Sequence, residues 1–195
     1  MKRKVHWMFY SRITSNVLNG ALYMMWGNII NRACQKALVG NLPIWEGITM
    51  LLSEMLSTLV YVKYSNKLDK VGKYLLILDL IVFWALALTP ELDLKYYAFI
   101  SAIDGCLVLN LWSNLVNKYE LKCITKHRWQ KYNLYLKIVN FGIRLDCLLY
   151  GFIFANVLIQ TMLVYVMIFS TPGSWYSYKR YLKLKELAAK KETRT

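Results

Sequence analysis

Acidic residues are scarce in this chain. Eleven Asp and Glu stand against 25 Lys and Arg, a net charge of +14 over 195 residues. Such an excess of cations raises nucleic acid as a partner, but they gather in short connections and at the two ends. A nucleic-acid binder spreads them along one soluble face, so that partner is set aside. Histidine is scarcer still: His6 and His127 are the only two, both in basic stretches, and no H-E-x-x-H or similar ligand cluster exists. No metal or cofactor is implied. The four cysteines, Cys34, Cys106, Cys123 and Cys147, never fall in a C-x-x-C spacing, which removes a redox pair and a zinc knuckle. Cys106 and Cys147 read as small core hydrophobes within apolar runs. His127 lies four residues after Cys123, but no third group orients a Cys–His nucleophile. The Asp104-Gly105 pair lacks the further aspartates of a lipid phosphotransferase. The chain does not read as an enzyme. No cleavable leader is expected either, because residues 1–12 are basic and polar for too long and no small-residue cleavage site comes after them.

Long apolar runs are abundant. The chain is 57% hydrophobic with a mean hydropathy of +0.30. Six apolar segments emerge, at about 13–31, 44–62, 74–89, 96–117, 133–155 and 157–170. A helix needs about 20 residues to cross the hydrocarbon of a bilayer, so the third and sixth are short. Asn156 alone separates the fifth from the sixth. The expected fold is all-α: a polytopic membrane domain of six transmembrane helices over residues 1–173, then a basic cytoplasmic tail over 174–195. Lysine and arginine fill the N-terminal stretch, the second-to-third and fourth-to-fifth connections and the tail. The other side holds only Arg32, Lys36 and Lys95. The positive-inside bias places both termini in the cytoplasm and the protein in the cytoplasmic (inner) membrane. Trp175, Tyr178, Tyr181 and Leu182 among lysines predict a short amphipathic helix on the membrane surface.

The connection Ser65-Asn66-Lys67-Leu68-Asp69-Lys70-Val71-Gly72-Lys73-Tyr74 resembles the signature loop of the major facilitator superfamily, G-x-x-x-D-[RK]-x-G-[RK]-[RK]. Asp69, Lys70, Gly72 and Lys73 match; Ser65 replaces the first glycine and Tyr74 the last basic residue. The loop's place, between the second and third segments on the basic side, matches as well. The resemblance implies one six-helix half of a twelve-helix transporter fold. It also implies that the acid and bases of the loop lock helices together in one access state. On physical grounds Gly72 eases a tight turn, Lys70 and Lys73 hold the loop at the charged surface, and Asp69 suits a helix N-terminus. The family's transport path lies between two halves, so a lone half implies either a parallel homodimer in the bilayer or a module that has lost transport and binds or protects instead.

Ionisable residues inside the expected spans are costly and tend to face protein or water. They are Glu46 and Glu54 on the second, Asp79 on the third, Asp104 on the fourth, and Lys137, Arg144 and Asp146 on the fifth. Lys137, Asn140 and Arg144 share one helix face, with Asp146 nearly opposite. One reading is a cavity with a cationic stripe, Lys137 and Arg144, balanced by Asp104 or Asp79, that binds an anionic group or relays protons. The other is structural ion pairing between helices. On the first helix Asn16, Asn19 and Tyr23 share a polar face, while Gly20 and Gly27 suit close packing. Function therefore divides between a half-size transporter and a non-transport membrane module, such as a toxin-immunity, exclusion or regulatory protein that binds a partner in the bilayer. The substrate-binding subunit of a vitamin importer ranks third, for want of a small-residue docking pattern.

Overall fold

The computed structural model describes residues 2–20, 22–35, 42–89, 92–124, 126–154 and 157–193, and every regular element among them is helical. They are α1 (Lys2–Gly20), α2 (Leu22–Gln35), α3 (Leu42–Leu88), α4 (Leu94–Ile103), a π-helical turn (Asp104–Val108), α5 (Leu109–Cys123), α6 (Lys126–Ile153) and α7 (Ile159–Glu192). The expected boundary at Asn156 lies outside the described residues, as do the side chains of Asn19, Gly20 and Glu46.

The long α3 is two limbs of a hairpin. Its backbone leaves helical geometry at Tyr64 (φ −123°, ψ 18°). The first limb runs parallel to α5, from Ser57 beside Asn110 toward the bend, just beyond which Asn66 lies near Lys118. The second limb runs back along the same helices, with Asp69 at Lys118, Gly72 at Leu115 and Asp79 at Asp104. This corrects the loop expected over 65–74: the reversal occurs at Tyr64 and the helix resumes at once. Gly72 therefore does not ease a turn. A Cβ there would come within 2.6 Å of Leu115 Cδ2, so glycine lets α5 approach.

The remaining helices keep the same up-and-down order. α6 runs parallel to α1 and α2, placing Tyr132, Asn140 and Leu148 beside Met8, Asn16 and Gly27 in turn. α7 runs antiparallel to them and to the second limb of α3: Gln160 bonds the Thr89 carbonyl, and Tyr181 reaches Asp69. Consequently Met8, Tyr64, Ile124 and Glu192 lie toward one end of the bundle, and Gln35, Thr89 and Phe154 toward the other. At the latter end α2 and α6 touch backbone to backbone. A Cβ on Gly27 would collide with the Leu148 carbonyl, and one on Gly151 with that of Met24.

A helix end expected before Thr171-Pro172-Gly173 is absent. α7 continues through Pro172 to Glu192. Packing overrides the local signal here. Ser170, Gly173, Ser174 and Ser177 form a buried small-residue face that seats α7 against the bundle, while Pro172 points outward. Of the residues expected on a surface helix, Trp175 and Leu182 are exposed, but Tyr181 is buried, 5.1 Å from Trp112 and 5.5 Å from Tyr119 between ring centroids.

Two apolar cores stack along the bundle. One gathers Met8, Leu76, Trp112, Leu115, Tyr181 and Leu184 near the Tyr64 end. The other gathers Met25, Ile29, Phe83, Tyr97, Leu163 and Met167. Asp79 lies in sequence between Leu76 and Phe83, and Asp104 between Ala98 and Leu111, so a polar layer separates the two cores. Two stretches among the described residues, Ile48–Leu88 and Lys95–Cys123, are long and apolar enough to cross a membrane.

Candidate functional site

A cavity of about 340 Å³ opens near the centre of the bundle, walled by α1, α2, the first limb of α3, α5, α6 and α7. α1 and α2 contribute Arg12, Ser15, Asn16 and Tyr23, and α6 contributes Asn140 and Arg144. Met50 and Glu54 face it from α3, and Trp112 and Ser113 from α5. Ser177 and Arg180 close it from α7.

The floor is a buried ionic network. Glu120 is fully buried, and its Oε1 accepts from Arg180 Nη2. Arg12 Nη1 stands 3.7 Å from the same oxygen, and Tyr132 donates to it at 3.3 Å. Arg180 also donates from Nε to Ser11 Oγ (2.9 Å) and from Nη2 to the Met8 carbonyl (3.2 Å). Burial, and then the neighbouring Arg12 charge, pull the Arg180 guanidinium below its ordinary value; burial does the same to Arg12. An arginine starts so high that both remain charged at neutral pH. Arg12 donates to Ser113 Oγ at 3.0 Å, yet its buried Nε finds no acceptor among the described residues. Above the floor, Asn16 donates to Asn140. Arg144 lies over the Tyr23 ring at 5.2 Å and makes no ion pair among the described residues.

The expected balance of Arg144 by Asp104 or Asp79 does not form. Asp79 and Asp104 pair with each other on the far side of the π-helical turn, while Gly105 and Cys106 from that turn face the cavity. Each aspartate is 4% exposed, and Asp79 Oδ1 and Asp104 Oδ2 have no hydrogen-bond partner among the described residues. Asp104 and Cys106 are two positions apart, about half a helical turn, so they face opposite sides of the helix. Lys137 and Asp146 are exposed on α6 outside the cavity and form no ion pair among the described residues. Of the stripe Lys137, Asn140 and Arg144, only the last two reach the cavity. Glu54 lines it from the opposite wall.

The signature-like residues form a separate cluster at the Tyr64 end. Asp69 accepts from Lys118 Nζ at 2.9 Å and from Tyr181 Oη at 3.2 Å, tying α3 to α5 and α7. Partial burial raises its carboxyl, but the bonds from Lys118, Tyr119 and Tyr181 outweigh this and hold it below the ordinary value. Lys70 and Lys73 are exposed, the latter 4.8 Å from the Tyr74 ring centroid.

Sequence reasoning missed Arg12, Glu120 and Arg180, because each sits beside a lysine-rich connection and reads as one of its charges. The readable signal was the spacing Ser170, Ser174, Ser177, Arg180/Tyr181, Leu184, Ala188, a small and apolar stripe at helical period that carries Arg180 inward.

Comparison with protein-family models, curated proteins and solved structures gives no match for this chain.

Proposed function

We propose that this protein is a half-size membrane transporter. In this reading it crosses the inner membrane six times, keeps both termini in the cytoplasm, and works as a parallel homodimer on a small solute. The observation that carries the proposal is a polar, charged cavity inside a bundle whose outside is apolar. Val62 is 76% exposed, Phe141 69% and Ile153 70%. Only 33% of the most apolar stretch of α3 is buried, whereas the core helix of a soluble protein is mostly buried. Ile48–Leu88 would be about 60 Å long if straight, twice the hydrocarbon thickness; folded at Tyr64 it supplies two crossings. The lysine-rich connections gather at the end that holds Tyr64 and Ile124, which fits the positive-inside bias.

Two further features support the transporter class. Asp69 joins three helices at the position where the major facilitator resemblance expects an interhelical lock. The first limb of α3 and α6, which both line the cavity, also carry exposed Leu51, Leu52, Met55, Tyr135, Ile138 and Phe141. A second copy seated there would close the cavity about an axis along the membrane normal.

The test is reconstitution of the purified protein in liposomes, with a solute-uptake screen and crosslinking between single cysteines at Leu52. Uptake above protein-free liposomes, together with a crosslinked dimer, is expected. A monomer that neither crosslinks nor transports, yet protects cells from a membrane-active toxin, would overturn the proposal in favour of the non-transport module.

A further inference from the structure

The cavity carries more positive charge than its walls neutralise. Three guanidinium groups line it, from Arg12, Arg144 and Arg180. Glu120, behind the floor, bonds Arg180 directly and lies 3.7 Å from Arg12, so one carboxylate serves two cations. The only acidic residue among the described lining residues is Glu54, on the α3 wall. One positive charge remains even if Glu54 is counted in full. The excess is localised on two groups. Arg144 forms no ion pair among the described residues. The buried Nε of Arg12 has no acceptor among the described residues, although a buried donor ordinarily finds one. Both belong to the side of the cavity formed by α1 and α6, where Ser15, Asn16 and Asn140 add short polar groups.

We propose that the cavity binds a small organic anion through its carboxylate or phosphate group, held by Arg144, with Arg12 adding positive charge from the floor. The inference rests on the reading of this cavity as a solute site and names the solute's chemical class. Guanidinium groups match oxyanions of both kinds through paired N–H donors. Glu54 repels the anionic end, so it orients that end toward α1 and α6. Trp112, Leu109 and Met50 offer apolar contact to the body of the ligand. A volume of about 340 Å³ admits a solute of that kind but not a polymer.

The experiment is equilibrium binding to the full chain in nanodiscs, using probes of matched size: benzoate, phenyl phosphate, neutral benzamide and cationic benzylamine. At least one of the two anions binds, weakening as salt is raised, while benzamide and benzylamine bind at least tenfold more weakly. The favoured anion identifies carboxylate or phosphate as the recognised group. Arg144→Gln lowers anion affinity at least tenfold without moving the unfolding midpoint of the ligand-free protein. Lys137→Gln, on the same helix outside the cavity, leaves affinity unchanged. Equal binding of benzamide and the anions, or wild-type affinity in Arg144→Gln, would overturn the inference. Uptake of a neutral solute with no anion binding sinks this inference and leaves the transport reading standing; anion binding with no uptake does the reverse.

Discussion

Glu120 stabilises the bundle at the cavity floor: it accepts from Arg180 and Tyr132 and pairs electrostatically with Arg12 at 3.7 Å. Removing one partner of a buried ion pair leaves the other charge uncompensated and costs about 3–5 kcal/mol. Glu120→Gln therefore lowers the unfolding free energy by about that amount. Pairing it with Arg180→Met costs less than the sum of the single changes, because each removes the charge that strands the other. A denaturation series on the four proteins reads this coupling; strict additivity would show that the two side chains do not interact. Asp69 behaves differently, since its carboxyl is partly exposed. Its folded-state value lies below the ordinary one, so the unfolded chain binds the proton more readily. The stability it adds is complete above the ordinary carboxylate range, about pH 4, and is lost as pH falls through the folded value. Asp69→Asn accordingly destabilises by about 1 kcal/mol or less at pH 7, and the gap between variant and parent narrows by pH 3. A gap that widened on acidification would contradict the assigned contacts.

At the scale of the helix, close approach matters more than propensity. Gly27 and Gly151 let α2 and α6 meet backbone to backbone, and no side chain fits at either place. Gly27→Leu or Gly151→Leu is expected to destabilise by about 1–3 kcal/mol, the range for overpacking, whereas Gly142→Leu changes little because nothing lies within 4 Å of its Cβ position. Thermal unfolding of the three variants checks the order. The sequence marks Gly27 as a packing residue, and the helical apolar segments at 44–62, 74–89 and 96–117 lie inside α3 and α4–α5 as expected. Helices that run through their punctuation carry no such mark. Pro172 looks like a stop, and only the tertiary seat of Ser174 and Ser177 carries α7 past it. The 65–74 stretch looks like a loop because lysines crowd it, yet nothing in it forbids helix, and Gly72 serves α5 rather than a turn. The same blind spot hid the candidate site. Arg144 and Glu54 were legible as charges within apolar runs. Arg12, Glu120 and Arg180 were not, because whether a charge beside a connection faces inward depends on the helix it continues. The partner of Asp104 was likewise open, because the sequence does not say which neighbouring helix its face meets; it meets Asp79 rather than Arg144.

At the scale of the whole molecule, the proposed function requires a bilayer around a bundle that reverses at Tyr64. Exposed leucine, phenylalanine and isoleucine on α3 and α6, a cationic end and a charged interior then belong to one arrangement. The reversal sets Tyr64 and Glu192 on one side and Lys95 on the other, with the second limb of α3 between them. The most direct measurement is labelling with a membrane-impermeant maleimide in a cysteine-free background bearing single replacements Tyr64→Cys, Lys95→Cys or Glu192→Cys. In intact cells only the cysteine at position 95 reacts, and those at 64 and 192 react after lysis. Labelling of positions 64 and 95 from the same side would contradict this arrangement.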